Sequence, residues 1–212
     1  DWIEKDGFMP LPPYIKRDYK NVDESINQVD KERYQTVFAA KAGSVAAPTA
    51  ALHFDTKLKE ELVGAGCDFA DVTLHVGAGT FLPVSSDNIE EHKMHSEVFT
   101  IPQTTSTKIA QAKKNKTPII AVGTTSLRAL ESFQKLGACP DEWNETDLFI
   151  YPEKDGEKFK PWCADAIMTN FHQPGSTLFL LISALIGRKE TLELYKAAIQ
   201  KEYRFLSYGD SS

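Results

Sequence analysis

The five histidines of this sequence all lie in or beside segments rich in glycine, hydroxyl-bearing or acidic residues. They are His53, His75, His92, His95 and His172. A histidine side chain titrates near neutral pH, so it can serve as a general acid or a general base. Histidines that only fill a hydrophobic core would be expected to scatter more evenly along the chain. Their positions therefore favour a reaction that needs proton transfer.

One of these segments, residues 72–81, alternates apolar side chains as a strand does and then ends in a turn around Gly77 and Gly79. Glycine has no Cβ, so main-chain N–H groups in such a turn can approach a ligand closely. We therefore expect Gly77, Gly79 and Thr80 to contact a substrate, with His75 directly before them. A simple tight turn next to a histidine of the core is the alternative.

The segment His92-Lys-Met-His95-Ser-Glu97 adds three further titratable groups shortly after that turn and strengthens the case for a reaction site. Two histidines and a glutamate can also bind a metal ion. In a strand, however, the odd spacing of His92 and His95 directs the two side chains to opposite faces. We therefore predict no metal site.

Two polar turns follow apolar runs in the second half of the chain. Gly123-Thr-Thr-Ser126 joins the apolar run 118–122 to a helix, and its N–H groups and hydroxyls suit a carboxylate or a phosphate. Hydroxyl residues at a helix start can equally be simple caps. The second turn, residues 169–177, contains Asn170 and His172 and leads into another apolar helix.

Strands and helices alternate along most of the chain, which predicts a layered α/β/α domain with a mixed, largely parallel sheet. Apolar or alternating runs predict strands at 72–76, 96–102, 118–122, 148–150 and 166–168. No internal boundary is evident, so we expect residues 1–212 to form one domain.

The composition is ordinary for a globular protein, with 42% hydrophobic and 25% charged residues. The longest apolar run, Leu178–Ile186, is too short to span a membrane, and the charged amino end does not resemble a signal peptide. The cysteines lack CxxC spacing, which argues against a zinc ribbon or a disulfide framework. We therefore expect a cytoplasmic protein without membrane contact.

The net charge and the absence of two common nucleotide-binding motifs limit the kinds of ligand that the sequence suggests. A net charge of −6 does not by itself favour a nucleic-acid ligand, although basic clusters at 16–17, 113–116 and 154–160 could gather on one side. A phosphate-binding loop is absent, and a dinucleotide fingerprint would need glycine where Leu82 stands. The stretch from His75 to Gly79 is superficially similar to the glycine loop of a methyltransferase.

In combination, the motifs resemble the S-adenosylmethionine:tRNA ribosyltransferase-isomerase family of the queuosine pathway. The matching segments cover essentially the whole chain: Met9-Pro-Leu-Pro-Pro-Tyr14, Arg33-Tyr-Gln-Thr-Val-Phe38, Val45-Ala-Ala-Pro-Thr49, residues 72–81 and 92–97, Ala121-Val-Gly-Thr-Thr-Ser-Leu-Arg128, Thr169-Asn-Phe-His172 and Tyr203-Arg-Phe-Leu-Ser-Tyr-Gly-Asp210. Ala51 and the segment 153–162 depart from the family pattern. The resemblance also implies an additional amino-terminal stretch with a small β-barrel domain, after which this chain would begin.

The resemblance implies transfer and isomerisation of the ribosyl group of S-adenosylmethionine. The acceptor is 7-aminomethyl-7-deazaguanine at the tRNA wobble position, and the products are epoxyqueuosine, adenine and methionine. S-adenosylmethionine would be consumed as a substrate, so no other cofactor and no metal are expected, and tRNA is the expected partner of a monomer. An S-adenosylmethionine-dependent RNA methyltransferase and a tRNA-binding protein without activity are the alternatives.

This reaction needs a base that removes a proton from the ribose C5′ and an acid that assists the departure of adenine. The candidates are His75, His92, His95, Glu97 and His172. We favour His95 as the base, because we expect it on the same face of its strand as Glu97, which can then orient the ring.

Substrate binding is assigned to the turns. We expect Thr124, Thr125 and Ser126 to hold the methionine carboxylate, Arg128 to add a charge-assisted contact, and Asn170 to bind substrate. The glycine turn, the segment 92–97 and both polar turns are expected to converge on one cleft, where α/β folds place ligands.

Overall fold

The computed structural model describes residues 7–18, 23–77, 88–153 and 156–212. Within these ranges the chain forms helices and five short strands in two separate sheets. The helices are α1 (Glu24–Arg33), α2 (Thr56–Gly64), α3 (Gln103–Asn115), α4 (Thr124–Leu136), α5 (Thr177–Ile186) and α6 (Arg188–Gln200). The predicted α/β class is confirmed.

The first sheet is antiparallel and has its most buried strand in the middle. It consists of β1 (Thr73–His75), β2 (Glu97–Thr100) and β4 (Asn144–Thr146), in the order β1-β2-β4. Phe99 of β2 is fully buried and packs in a cluster with Ile109 of α3. This cluster fixes α3 against one face of the sheet.

The second sheet is a parallel pair, β3 (Ile120–Val122) and β5 (Ala166–Met168), in which Val122 is opposite Met168. Leu127 of α4 and Leu181 of α5 pack in the cluster beside this pair. Because Leu130 of α4 belongs to the other cluster, α4 contributes to both cores. The orientation of α4 is therefore set from two sides.

Two details of the predicted sheet are wrong. Two of the three strand pairings among the described residues are antiparallel, so this part of the structure is not largely parallel. Residues 148–150 form no strand, because the Leu148 N–H donates to Thr146 Oγ1 (3.1 Å) and its carbonyl accepts from Arg128 Nε (2.9 Å). Side chains thus satisfy the main-chain groups that would otherwise form hydrogen bonds to a neighbouring strand.

None of the helices in the described ranges has the length and apolar character needed to cross a membrane.

The residues after β5 are held by the carboxyl-terminal segment. Thr169 and Ser212 exchange two main-chain hydrogen bonds of 3.0 and 2.7 Å. Phe171 packs with Tyr195 and Ala198 of α6. These contacts fix the turn that follows β5, which contributes most to the site described below.

Candidate active site

A pocket of about 460 Å³ lies where the two parallel strands β3 and β5 end. Both strands deliver polar residues to it, as expected at the carboxyl ends of parallel strands. Among the described residues, six parts of the chain form its walls: 13–14, 46–50, 76, 123–125, 169–170 with 172–176 and 178, and 206–207. The volume is that of a small-molecule site.

The amino terminus of α4 forms one wall of this pocket. The helix begins at Thr124 as predicted, and its N-cap is Gly123, whose φ of 94° lies in a region that glycine tolerates. Thr124 and Thr125 line the pocket, whereas Ser126 does not. No side-chain hydrogen bond caps this helix. The alternative that the hydroxyls are only caps is therefore not supported.

The first turn of α4 has the properties of an anion site. The N–H groups of the first turn of a helix have no acceptor within the helix itself. In the described part of the chain, Thr124, Thr125 and Ser126 have no other acceptor for them. The helix dipole adds partial positive charge at the same place. A carboxylate or a phosphate in the pocket would meet donors that are already in position.

The start of α5 borders the same pocket, but a side chain of the same turn already accepts from one of its main-chain N–H groups. Ser176 Oγ accepts from the Phe179 N–H (3.2 Å) and donates to the Gln173 carbonyl (2.7 Å). The first turn of α5 is thus capped, in contrast to that of α4. Between these two helices, α4 is the better anion site.

His172 lies in the pocket wall and is buried. Its Nε2 is 3.0 Å from Thr169 Oγ1, and its main-chain N–H donates to the Tyr195 hydroxyl at 2.9 Å. Burial lowers the pKa of His172 from 6.5 to about 4. The imidazole is therefore neutral at neutral pH, and it cannot act there as a cationic acid.

The hydroxyls of two tyrosines lie near Ser207, which lines the pocket. The Tyr14 hydroxyl is 2.6 Å from Ser207 Oγ, and the Tyr34 hydroxyl is 3.4 Å from the same atom. Burial raises the pKa of both phenols. They are neutral hydrogen-bonding groups at any ordinary pH. Tyr14 and Ser207 line the pocket, although neither was among the predicted site residues.

The predicted pairing of His95 with Glu97 is wrong. β2 begins at Glu97, so His95 lies before the strand and is exposed, whereas the Glu97 side chain is buried. Glu97 accepts from Arg128 Nη1 at 2.6 Å and therefore points into the core. His92 is half-buried, with its ring 5.3 Å from that of Phe149. Neither His92 nor His95 is among the described residues that line the pocket.

Arg128 does not have the position expected of a carboxylate-binding residue. Its side chain is only 4% exposed, and its guanidinium is used by Glu97 and by the Leu148 carbonyl. Its Nη2 atom is buried without a partner in the described part of the chain. Arg128 therefore joins α4 to β2 rather than reaching into the pocket.

His75 is held in a packing site away from the pocket lining. Its ring lies 4.9 Å from that of Trp143. On its other side the main chain of Gly43 is so close that a Cβ there would lie 2.5 Å from His75 Cε1. The alternative of a histidine that packs against its neighbours thus fits this site better than a catalytic role.

Only the first residue of the predicted glycine turn, Gly77, lies within the described residues. Val76, at the end of the strand, lines the pocket. At Gly77 an added Cβ would meet no described atom within 4 Å, so no close approach explains this glycine. Gly79 and Thr80 lie outside the described residues.

Of the segments predicted to converge, residues of the two polar turns line the pocket, whereas Gly77 and the segment 92–97 are not among the described residues of its lining. Thr49 is a pocket residue that the predicted set lacks; it donates to Asn170 Oδ1 at 3.1 Å. In the sequence, the small residues around Thr49 and the proline-rich segment before Tyr14 are the features that could have indicated these two pocket residues.

In the described ranges, no three His, Cys, Asp or Glu side chains are grouped as metal ligands would be.

Comparisons with known proteins agree with this architecture. The family model described as "Queuosine biosynthesis protein" matches residues 1–212. A crystal structure described as an S-adenosylmethionine tRNA ribosyltransferase from Thermotoga maritima is 38% identical, with a TM-score of 0.62. That match covers 76% of this chain and 50% of the other.

Curated relatives named S-adenosylmethionine:tRNA ribosyltransferase-isomerase match the full length of this chain. The protein from Legionella pneumophila (strain Philadelphia 1) is 51% identical over 212 residues, which are 100% of this chain and 59% of that protein. The protein from Vesicomyosocius okutanii is 50% identical over 211 residues, or 100% of this chain and 58% of its own. The chain therefore spans somewhat more than half the length of these relatives, and it belongs to the queuosine biosynthesis protein family.

Proposed function

We propose that this chain carries the S-adenosylmethionine pocket of a tRNA ribosyltransferase-isomerase. The observation that carries the proposal is the uncapped amino terminus of α4 in the wall of a pocket of about 460 Å³. S-adenosylmethionine has a carboxylate at one end and a nucleoside at the other. The helix start suits the first, and a cavity of this volume accommodates the second. The names of the relatives support the proposed reaction class.

In the proposed reaction the ribosyl group of S-adenosylmethionine is moved to the aminomethyl group of 7-aminomethyl-7-deazaguanine at the tRNA wobble position. Epoxyqueuosine forms, and adenine and methionine leave. The donor is consumed as a substrate, and the reaction requires no other cofactor and no metal ion. We propose that the protein acts in the cytoplasm, where its proposed tRNA partner is found, and that it acts as a monomer.

The carboxylate of the methionine part binds at the start of α4. The N–H groups of Thr124 and Thr125 and their hydroxyls donate to it, and the helix dipole favours its charge. Hydrogen bonds to a charged group contribute about 1.5–3 kcal/mol each. Arg128 acts from a distance, because its ion pair with Glu97 holds α4 in the orientation that presents these donors.

In the proposed reaction a histidine removes the proton from C5′ of the donor. The sulfonium of the donor acidifies the C5′ hydrogens, but water at neutral pH is too weak a base to remove one quickly. The two candidates for the base are His172, which lies in the pocket wall, and His95, which is exposed. The low pKa of His172 makes it a weak proton acceptor but a good neutral hydrogen-bonding group. We infer that its part is to orient the bound donor. His95 stays the base assigned from the sequence, although it is not among the described residues that line the pocket, and its substitution tests that assignment.

The test is product analysis. The protein is incubated with S-adenosylmethionine and an anticodon stem-loop that carries the 7-aminomethyl-7-deazaguanine base, and the small molecules are separated by chromatography. We expect adenine and methionine in equal amounts. S-adenosylhomocysteine in their place would show a methyltransferase, and RNA binding without consumption of the donor would show a protein that only binds tRNA.

A further inference from the structure

A chain of hydrogen bonds links the pocket wall to a histidine behind it. Thr49 Oγ1 donates to Asn170 Oδ1 at 3.1 Å, and Asn170 Nδ2 is 3.0 Å from Nε2 of His53. Thr49 and Asn170 line the pocket, and Asn170 is 2% exposed. The 3-10 turn Thr49–His53 holds both partners of Asn170 at its two ends.

The direction of these bonds fixes the protonation of His53. An amide nitrogen can only donate, so Nε2 of His53 has to accept, and the ring proton has to be on Nδ1. With the Thr49 hydroxyl donating to Oδ1, both ends of the Asn170 amide have a defined partner. The second amide hydrogen and the second oxygen lone pair remain for a ligand in the pocket.

Protonation of His53 removes the acceptor. Both ring nitrogens of a histidine cation are donors, so Nε2–H would oppose the Nδ2–H of Asn170. Rotation of the amide by half a turn relieves this conflict, because Oδ1 then accepts from His53. The Thr49 hydroxyl can follow, since it can accept as well as donate. The rotation exchanges donor and acceptor on the pocket wall.

The charged groups near His53 come from the carboxyl-terminal loop and from the start of α2. The pKa of Asp210 is lowered, chiefly by the hydrogen bonds from Arg204 and to a smaller extent by His53. Asp55, two residues after His53, is used by the Leu58 N–H at 2.7 Å. Asp210 is paired with Arg204, whose main-chain N–H and Nη2 donate to its carboxylate at 2.7 and 3.2 Å.

We propose that His53 is a positioning residue that determines which end of the Asn170 amide faces the substrate. While His53 is neutral, Asn170 keeps the orientation that binds S-adenosylmethionine, and protonation of His53 reverses the amide and weakens binding. The inference rests on the proposed function, because it assigns this regulation to the same pocket. It gives His53 a role although the residue is not part of the pocket lining.

The test uses two substitutions with opposite predictions. In His53→Gln, the side-chain oxygen can accept from Asn170 but does not titrate between pH 5.5 and 8. In His53→Leu, the acceptor is lost at every pH. Dissociation constants for S-adenosylmethionine are measured by calorimetry at pH 8 and pH 5.5 for the wild-type protein and both variants.

At pH 8 we expect His53→Gln to bind as the wild-type protein does, and His53→Leu to bind about fivefold to tenfold more weakly, as for one lost hydrogen bond. At pH 5.5 the wild-type protein should weaken by about the same factor relative to His53→Gln. Equal pH dependence of the wild-type protein and His53→Gln would overturn the proposal.

A second measurement needs no ligand. Nitrogen-15 spectra of the histidine ring should show His53 protonated at Nδ1 at pH 8, and the Asn170 side-chain amide signals should shift as His53 titrates. A ring protonated at Nε2 would overturn the proposal. If the wild-type protein fails to bind S-adenosylmethionine, the proposed function fails, and these spectra still decide the role of His53.

Discussion

Removal of the charge of Glu97 distinguishes a structural ion pair from a catalytic carboxylate. The Glu97 and Arg128 side chains are 3% and 4% exposed, and Oε2 is 2.6 Å from Nη1. Glu97→Gln keeps the shape of the side chain and leaves the guanidinium of Arg128 buried without its counter-charge. If the pair is structural, the loss appears in stability and not first in the chemical step.

The expected magnitude follows from burial. Breaking a buried ion pair by removing one partner costs about 3–5 kcal/mol. In a chain of about this length, 1 kcal/mol changes the melting temperature by about 2–4 °C, so the midpoint should fall by roughly 6–20 °C. Thermal and urea-induced unfolding, followed by circular dichroism at pH 7.5, measure this change.

Glu145→Gln is the matched control, because Glu145 lies on the neighbouring strand β4 opposite Val98 and is exposed. Its contact with Ser96 Oγ (3.1 Å) is open to solvent, so we expect a change within about 0.5 kcal/mol. The double substitution Glu97→Leu with Arg128→Met should recover part of the lost stability, since an apolar pair leaves no buried charge. The reasoning is refuted if Glu97→Gln melts like the wild-type protein but releases adenine at least a hundredfold more slowly.

Four further predictions follow from the site. Thr125→Ala should weaken S-adenosylmethionine binding by about 10- to 100-fold, through a lost hydrogen bond to a charged group, with Thr104→Ala on the exposed start of α3 as the control; unchanged affinity by calorimetry contradicts the carboxylate site. Because burial lowers the pKa of His172 from 6.5 to about 4, the stability it contributes is complete above pH 6.5 and is lost as the pH falls towards 4. Between pH 7.5 and pH 5 the free energy of unfolding of the wild-type protein should therefore fall by about 2 kcal/mol more than that of His172→Gln, and parallel urea titrations would contradict this. His95→Ala and His95→Gln should slow single-turnover adenine release if His95 is the base, and rates within a few-fold of wild type exclude it. Elemental analysis should find no stoichiometric zinc, and zinc whose removal by a chelator abolishes activity would refute the absence of a metal site.

Local sequence signals predicted the elements whose ends depend on their own residues. The polar turn after residue 122 predicts a helix start, and α4 begins there because Gly123 can adopt the φ of 94° that turns the chain out of β3. The apolar run 166–168 predicts a strand and coincides with β5. In both cases the physical cause lies within a few residues of the element, so the sequence is sufficient.

Pairings between distant segments could not be predicted in this way. Nothing in the alternation around Glu97 shows that its partner is Arg128, which is 31 residues away. The same alternation does not show where β2 begins: the predicted strand starts at residue 96 and β2 starts at Glu97, so His95 lies outside the strand and does not share a face with Glu97. Likewise, the main-chain groups of Leu148 are satisfied by side chains that approach from other elements, and its apolar neighbours gave no sign of this.

The density of histidines was a poor guide to the pocket for a chemical reason. Near neutral pH its described walls offer neutral hydrogen-bonding groups: main-chain N–H groups at the start of α4, the hydroxyls of Thr49 and Tyr14, the Asn170 amide and the neutral imidazole of His172. Such a wall binds and orients a substrate rather than ionising it. This suits the proposed donor, because its sulfonium already carries the charge that acidifies the C5′ hydrogens. To bind this donor the protein needs a fixed set of hydrogen-bond donors and acceptors rather than a cluster of titrating groups, and glycine turns, small residues and strand ends are the sequence features that provide such a set.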